Sequence, residues 1–413
     1  MKLPVVFVLL LTAAFAVGQS SPPKPITVPL TVDHNRALID ISLSLPDGST
    51  QPVRAWVDNG NPDLYLSRRA ATLMGLAISC GEKECTAPPP REIAIAGMKI
   101  PLTVVKEAKI PLKPVDAAAV MASGMNAEIT IPSTVLRNYD VLVDFPDHQF
   151  TIGPPGSLKF KGIKAKVIVN AENGLIQVPS QIENKKYNLG LDLGSSISFL
   201  SGELFDKFSA AHPDWPHMTG ALGPANMWGL EDEPKWKLMR VDRLQYGPLY
   251  LTSVAAVDFP KDRLAVFEKR AGTPTAGLLA AEALMNYRIG LDYAHSAVYF
   301  DIGRTFKFPD FDLIGLILRP EDDGRFTVLA VADYNGKSSV PDIQSGDQLI
   351  AVDGLPVRGS TMGQVLLMLG GEPGKERVLT LERAGKQFTV VAKVQHFLGE
   401  AESDPSKTKS GRN

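Results

Sequence analysis

The stretch Asn188-Leu189-Gly190-Leu191-Asp192-Leu193-Gly194-Ser195-Ser196 carries the strongest structural signal of the chain, because an earlier stretch has the same plan. The earlier copy is Arg54-Ala55-Trp56-Val57-Asp58-Asn59-Gly60. In each copy an apolar run ends in an aspartate, and a glycine two residues later permits a sharp turn. A repeat that keeps one acid per copy predicts two halves that face each other, with two carboxyl groups meeting at their junction.

The repetition continues downstream of each aspartate turn. Two short segments of the first copy recur at the same spacing in the second: Leu136-Arg137-Asn138-Tyr139 with Asp144-Phe145, then Leu284-Met285-Asn286-Tyr287 with Asp292-Tyr293. We therefore predict a first repeat over residues 26–155 and a second repeat over residues 162–306.

Length and composition set the class of protein. The 413 residues exceed what one ordinary core holds, and 44% hydrophobic with 21% charged residues is a globular balance. The 35 glycines and 32 prolines favour many short strands joined by turns, so a mainly β protein is expected. A net charge of -2 argues against a nucleic-acid-binding or basic membrane-binding surface.

The first residues have the layout of a secretory signal peptide. Lys2 precedes an apolar run from Val5 to Val17, and Ala14, Ala16 and Gly18 offer small residues for cleavage. A short membrane anchor is the alternative, but a run of about a dozen residues is shorter than the roughly 20 that span a bilayer. Residues 1–18 therefore predict a secreted or periplasmic protein with no stable membrane span.

Two cysteines, Cys80 and Cys85, lie close together. In an exported protein such a pair most often forms a disulfide that closes a local loop. A metal site would need further ligands, and no histidine or other cysteine lies near them in the sequence. We expect a structural disulfide, no metal and no cofactor.

The aspartate motif resembles a known family. An apolar strand that ends in Asp-x-Gly, followed by an apolar segment and a serine, is similar to the active-site turn of retropepsin-like (pepsin-type) aspartic proteases. The segment from Gly277-Leu278-Leu279-Ala280 to Ala297-Val298-Tyr299-Phe300 is similar to the family's closing signature. The resemblance implies a mainly β fold in which two retropepsin-like β-barrel lobes form a pseudo-dimer within one chain. Both half-sites are then present, so a monomer is plausible.

The same resemblance assigns the site residues. Asp58 and Asp192 would be the catalytic pair, held in turns that the following residues form: Asn59, Gly60, Leu193, Gly194 and Ser195. Two carboxyl groups in contact cannot both ionise easily, so the pair shares a proton. Such a pair can activate water against a peptide bond, which predicts an endopeptidase acting on polypeptides.

Two departures from the family leave a second reading open. The family has threonine or serine where this chain has Asn59 and Leu193, and its later glycine is replaced by Ala280 in the second repeat. Asparagine can supply a hydrogen bond across the junction, whereas leucine cannot. The alternative is a catalytically degenerate peptide-binding or scaffold protein that uses the same cleft.

Residues 308–396 differ in texture from the repeats. The run Ser345 to Gly354 resembles the strand and turn that mark PDZ domains, and a helix is expected from Thr361 to Leu369. The resemblance implies a groove for a polypeptide C-terminus, formed by Leu313, Ile314, Gly315, Leu316 and Ile317. A small β-rich lid without a ligand is the alternative. The polar tail, residues 399–413, is expected to be disordered.

Three tryptophans lie in a stretch broken by glycine and proline. Trp215, Trp228 and Trp236 could line a flap or cleft, or could be buried in a core. The pattern leaves both possibilities open.

Overall fold

The computed structural model describes residues 24–82, 84–112, 124–304 and 311–399. The predicted signal peptide and all but the first residue of the predicted tail lie outside these ranges. The described residues form a mainly β structure with barrel-like sheets, and their helices are short.

The first repeat contributes thirteen described strands. They form a sheet of order β11-β4-β3-β8-β9 with β2 paired to β3, a sheet of order β5-β10-β7-β6, and part of a third sheet. Their bounds are β1 Ile26–Pro29, β2 Thr31–Asp33, β3 Arg36–Ser44, β4 Thr50–Asp58, β5 Leu64–Tyr65, β6 Ser79–Cys80, β7 Cys85–Ala87, β8 Glu92–Ile95, β9 Met98–Pro101, β10 Ala108–Ile110, β11 Ile129–Pro132, β12 Asp140–Asp144 and β13 Gln149–Gly153.

The second repeat contributes eleven described strands. Eight of them form one sheet of order β15-β16-β17-β22-β18-β21-β20-β19, with β16 also paired to β20. The bounds are β14 Ile163–Lys166, β15 Ile168–Val169, β16 Ile176–Ile182, β17 Lys185–Asp192, β18 Ser198–Ser201, β19 His217–Thr219, β20 Lys237–Tyr246, β21 Leu249–Phe259, β22 Gly277–Ala280, β23 Tyr287–Asp292 and β24 Ala297–Ile302.

A six-stranded sheet joins the two repeats. Its order is β1-β13-β12-β23-β24-β14, so three strands come from each repeat. The central pair, β12 and β23, is antiparallel and sets Leu142 opposite Gly290, which are at matching positions in the two copies. Equivalent strands of the two copies are therefore paired across the junction, as expected for two related halves.

The strand behind each aspartate turn also matches between the copies. β11 runs parallel to β4 with Pro132 beside Asp58, and β22 runs parallel to β17 with Ala280 beside Asp192. In the first repeat the N–H of Ser133 donates to the carbonyl of Asn61. In the second repeat the N–H of Ala281 donates in the same way to the carbonyl of Ser195, so each acceptor lies three positions after its aspartate. β11 and β22 thus take equivalent positions behind their aspartate turns, although β22 has Ala280 in place of the glycine of the family.

The helices follow the predicted positions closely. The sequence predicts a short helix after each aspartate turn, at residues 68–74 and 202–209, and helices are found at Arg68–Leu73 and Gly202–Ala211. A serine caps each of them, since Ser67 accepts from the N–H of Ala70 and Ser201 from that of Leu204. The described α-helices are α1 Arg68–Leu73, α2 Ser133–Leu136, α3 Gly202–Ala211, α4 Lys261–Ala271 and α5 Met362–Leu369.

The C-terminal segment, residues 311–399 as described, has its own sheet and core. The sheet order is β26-β27-β30-β32-β33, with β31 paired to β30, and α5 packs against it through Met362, Val365 and Leu369. The bounds are β25 Asp312–Leu313, β26 Leu316–Pro320, β27 Phe326–Val331, β28 Asp333–Tyr334, β29 Lys337–Ser338, β30 Gln348–Val352, β31 Leu355–Pro356, β32 Glu376–Arg383, β33 Lys386–Lys393 and β34 Gln395–His396.

A second apolar cluster attaches the C-terminal segment to the second repeat. Phe199 and Leu222 of the repeat share it with Phe311, Leu313 and Ile317. The buried guanidinium of Arg240 adds a hydrogen bond to the Leu398 carbonyl, 2.6 Å away. Burial of these apolar side chains holds the C-terminal segment against the second repeat.

The predicted disulfide is confirmed. Cys80 and Cys85 are joined across the hairpin of β6 and β7. Within the described residues, every helix is too short or too polar to cross a membrane.

One network of ion pairs at the junction between the repeats should contribute measurably to the stability of the protein. Arg288 on β23 donates to Asp144 on β12 at 2.9 Å and to Asp147 at 2.6 Å, and the Asp144 side chain is nine-tenths buried. We expect Arg288→Met to lower the free energy of unfolding by about 2 kcal/mol, because it leaves the Asp144 carboxylate buried without its cation. Urea denaturation followed by circular dichroism measures this loss.

The exposed pair of Lys393 and Glu376, 3.8 Å apart, provides the control. Lys393→Met should change the free energy of unfolding by less than about 0.5 kcal/mol. An equal loss in both variants would show that the Arg288 network contributes nothing particular to the junction.

Candidate active site

The two aspartates lie where the two halves meet. Asp58 ends β4 and Asp192 ends β17. The exposed fraction of the surface is only 3% for Asp58 and 7% for Asp192. Each carboxyl packs against the opposite turn, since a Cβ added at Gly60 would overlap the carboxyl of Asp192 and one at Gly194 would overlap that of Asp58. Glycine is therefore required at both turns by the approach of the other acid.

The two carboxyl groups have unequal hydrogen bonding. Asp192 accepts from the backbone N–H groups of Gly194 (2.9 Å) and Ser195 (3.0 Å), and the Ser195 hydroxyl donates to its second oxygen at 2.7 Å. Asp58 accepts from the backbone N–H groups of Gly60 and Asn61. The side-chain donor thus belongs to Asp192 alone of the pair.

This inequality decides where a shared proton resides. Burial, and then repulsion from Asp192, raise the pKa of Asp58 well above its usual 3.8. Burial also raises the pKa of Asp192, but the Ser195 hydroxyl and the backbone N–H groups of Gly194 and Ser195 oppose that rise. Of the two carboxyl groups, Asp58 therefore holds a proton more readily and Asp192 bears a negative charge more readily.

Asn59 links the two turns. Its amide nitrogen donates to the Leu191 carbonyl at 2.8 Å, and its oxygen accepts from the N–H of Leu193 at 2.7 Å. One carboxamide therefore bonds the backbone on both sides of Asp192. The matching residue of the second repeat, Leu193, is fully buried in the main core and makes no reciprocal side-chain hydrogen bond.

A buried arginine near the pair was not predicted from the sequence. Arg36 is fully buried, donates to the Met227 carbonyl at 3.0 Å and lies over the Trp56 ring at 5.4 Å. Its positive charge lowers the pKa of both Asp58 and Asp192. Nothing in its sequence neighbourhood marks Arg36, because the residues that surround it come from distant parts of the chain.

A small cavity of about 190 Å³ lies beside the carboxyl groups. Its aromatic and apolar walls come mainly from the second repeat: Phe199, Trp228, Phe259, Phe267 and Leu278, with Trp56 and Tyr65 from the first. Of the three tryptophans left open by the sequence, Trp228 lines this cavity and Trp236 is buried in the neighbouring core. Trp215 packs against Phe208 and His212 instead.

Helix α4 places two arginines at the edge of this cavity. Arg270 donates to Asp63 of the first repeat at 2.8 Å, so it ties the two halves together across the cleft. Arg263 lies against the rings of Trp228 and Trp236 and lines the cavity. The cavity is therefore aromatic with a cationic rim.

The residues predicted to bind a peptide lie on the first strands of the C-terminal segment. Leu313, Ile314, Leu316 and Ile317 are almost fully buried, and the Ile314 N–H donates to the Leu369 carbonyl at 3.0 Å. That N–H is thus already used within the segment. An open groove of about 450 Å³ remains between α5 and Leu313, and residues 31–35 of the first repeat also line it.

Within the described part of the chain, no cluster of three or more His, Cys, Asp or Glu side chains could hold a metal ion. The polar groups that line the cavity include the carboxyl pair, the Ser195 hydroxyl and the nearby arginines. Water activation by a carboxylate that has a protonated partner is within its reach.

Comparisons with known proteins give structural likenesses but no family or sequence relative. No family model matches the chain, and a search of curated proteins found no match. Among solved structures, the chain is similar to an aspartic proteinase from Irpex lacteus, at 11% sequence identity and a TM-score of 0.41. That likeness covers 68% of this chain and 97% of the proteinase. The proposals below rest on the geometry of this chain itself.

The raised pKa of Asp58 predicts a pH dependence of stability. The folded chain holds a proton that the unfolded chain releases, so the stabilising contribution is complete below about pH 4 and declines as the pH rises. Asp58→Asn should therefore raise the free energy of unfolding at pH 7, by about 1.4 kcal/mol per unit of raised pKa. At pH 4 the gain should be smaller. Denaturation at both pH values measures it.

Asp192→Asn is the matched comparison. The hydrogen bonds from Ser195 and Gly194 counteract the rise in the pKa of Asp192. The stabilisation caused by Asp192→Asn should therefore increase less from pH 4 to pH 7 than the stabilisation caused by Asp58→Asn. If the order of the two variants is reversed, Asp192 is the protonated member.

Proposed function

We propose that the protein is an aspartic-type endopeptidase in which Asp58 and Asp192 hydrolyse a peptide bond. The observation that carries the proposal is the meeting of two buried carboxyl groups, each packed against the other's glycine, at the junction of two matching turns. Both groups line one cavity, so a single bound substrate could touch them both. Burying two like charges is costly, and such an arrangement commonly marks a catalytic site.

The proposed mechanism follows from the unequal pair. A water molecule attacks the carbonyl carbon of the peptide while the carboxylate of Asp192 takes one of its protons. Asp58 gives its proton to the carbonyl oxygen, which produces a neutral tetrahedral diol. Asp192 then gives its new proton to the amide nitrogen, while Asp58 takes a proton from one hydroxyl of the diol. The C–N bond breaks, and an acid and an amine are released. The proton balance of the pair is restored at the end of the cycle.

The small size of the cavity favours a second candidate, a peptide-binding protein without catalysis. A space of about 190 Å³ holds one large side chain rather than an extended peptide, and the carboxyl groups are nearly inaccessible. Leu193 also removes half of the expected bonding across the junction. In that case the same cleft would bind polypeptide without cleaving it.

We further propose that the C-terminal segment is a PDZ-type module for polypeptide C-termini. The segment has an edge strand, β26, and an open groove lies between α5 and Leu313 of β25, which supports this assignment. Export to an oxidising compartment is proposed from the pattern of residues 1–18 together with the Cys80–Cys85 disulfide.

An assay of peptide hydrolysis from pH 3 to pH 7 tests the proposed activity. Asp58→Asn and Asp192→Asn should each lower kcat by at least about a thousandfold, because neither half of the pair can act alone. Asp242→Asn, at an exposed position of β20, serves as the control and should keep wild-type activity. A wild-type protein that binds diverse peptides but cleaves none would favour the binding protein.

The bonding of Asn59 predicts a positioning role. Asn59→Ala removes both hydrogen bonds to the second turn, so kcat should fall by about 10- to 100-fold with little change in KM. Asn59→Thr should restore part of the loss, since a hydroxyl can donate to the Leu191 carbonyl and accept from the Leu193 N–H. Equal activity of the alanine and threonine variants would exclude this role.

A further inference from the structure

Residues 221–236, called here the closing segment, form one wall of the carboxylate cavity. Trp228 stands at its centre, and its ring stacks on Phe199 with 6.0 Å between the ring centroids. Both rings line the cavity that contains Asp58 and Asp192. Trp228 therefore forms part of the wall that a substrate meets when it reaches the two acids.

A buried carboxylate organises this segment from within. Glu233 is fully buried and accepts from the amide of Asn226 at 2.6 Å and from the backbone N–H of Trp228 at 2.8 Å. The Ala221 N–H also donates to the Glu233 carbonyl at 2.9 Å. Because these bonds converge on one residue, Glu233 ties separate parts of the segment together.

One side chain of the closing segment bonds to both backbone groups of a single residue in the C-terminal segment. The oxygen of Asn226 accepts from the N–H of Leu318 at 2.7 Å, and its amide donates to the Leu318 carbonyl at 2.9 Å. Leu318 lies on β26, an edge strand whose other side pairs with β27. The carboxamide thus takes the place of one peptide group of a neighbouring strand.

Close packing continues along the same edge. A Cβ on Gly229 would lie 2.8 Å from the Cα of Arg319, and the Arg319 guanidinium pairs with Glu231. Gly220 lies against the side chain of Ile317. At Ile317, Leu318 and Arg319 the outer edge of β26 therefore lies against residues 220–231, and an added strand cannot pair with Leu318 while Asn226 is bonded there.

We propose that the edge of β26 is the docking surface for the closing segment, and that this contact holds Trp228 over the carboxyl pair. An extended polypeptide that pairs with Leu318 must take both hydrogen bonds from Asn226, so binding at this edge and closure of the cavity exclude each other. The C-terminal segment then acts as an internal clamp, which an extended peptide strand would release. The effect on hydrolysis rests on the proposed function, whereas the docking does not.

Hydrogen exchange read by mass spectrometry tests the clamp. Asn226→Ala should raise the exchange rate at least tenfold in two separated stretches, residues 221–236 and 316–320, and leave β12 and β23 unchanged. Asn188→Ala is the control, because the amide of Asn188 bonds only weakly to Pro274, at 3.5 Å, outside the clamp. Faster exchange confined to residues 221–236 would overturn the proposal, and so would no change in either stretch.

The wild-type protein provides a second measurement in case the alanine variant unfolds. The opening reactions that expose the N–H groups of Trp228 and Leu318 to exchange should have the same free energy, and that free energy should be lower than the free energy of global unfolding. The two free energies should also depend in the same way on low concentrations of urea. Independent opening of the two groups would overturn the proposal. Exchange that behaves as expected in a protein that cleaves no peptide would leave the clamp in place and reject the peptidase.

Discussion

Two carboxyl groups of like charge are buried together, and the surrounding structure is arranged around the free-energy cost of that burial. Repulsion and desolvation keep a proton on Asp58, while donors from its own turn stabilise the charge on Asp192. The buried guanidinium of Arg36 supplies a compensating positive charge. Without the two glycines of the turns, the carboxyl groups could not approach as they do. The six-stranded sheet maintains this approach by fixing one repeat to the other.

The two repeats share their backbone but not their chemistry. β11 and β22 take the same parallel register behind the two turns although neither carries the expected glycine. Asn59 bonds both sides of the opposite turn, and buried Leu193 contributes apolar packing instead. A doubled site thus needs only one polar residue for its cross-junction hydrogen bonds, provided that residue has both a donor and an acceptor.

Local patterns predicted the parts of the molecule that depend on neighbouring residues. The aspartate turns, the helices capped by Ser67 and Ser201 and the short disulfide loop all follow from spacing and residue type. The clamp could not be foreseen in this way. Asn226 and Leu318 are 92 residues apart, and an asparagine in a glycine-rich stretch looks like a turn residue until its partner strand is in place.

One contact connects the two ends of the folded chain. Asp33, in β2, caps helix α5 by accepting from the Thr361 hydroxyl and from the Gly363 N–H, a residue 330 positions away. Closing so large a loop is slow, so this contact forms late during folding. During synthesis the first repeat emerges long before its partner helix does. The order of assembly therefore leaves Asp33 without these two bonds until residues 361–363 have been made.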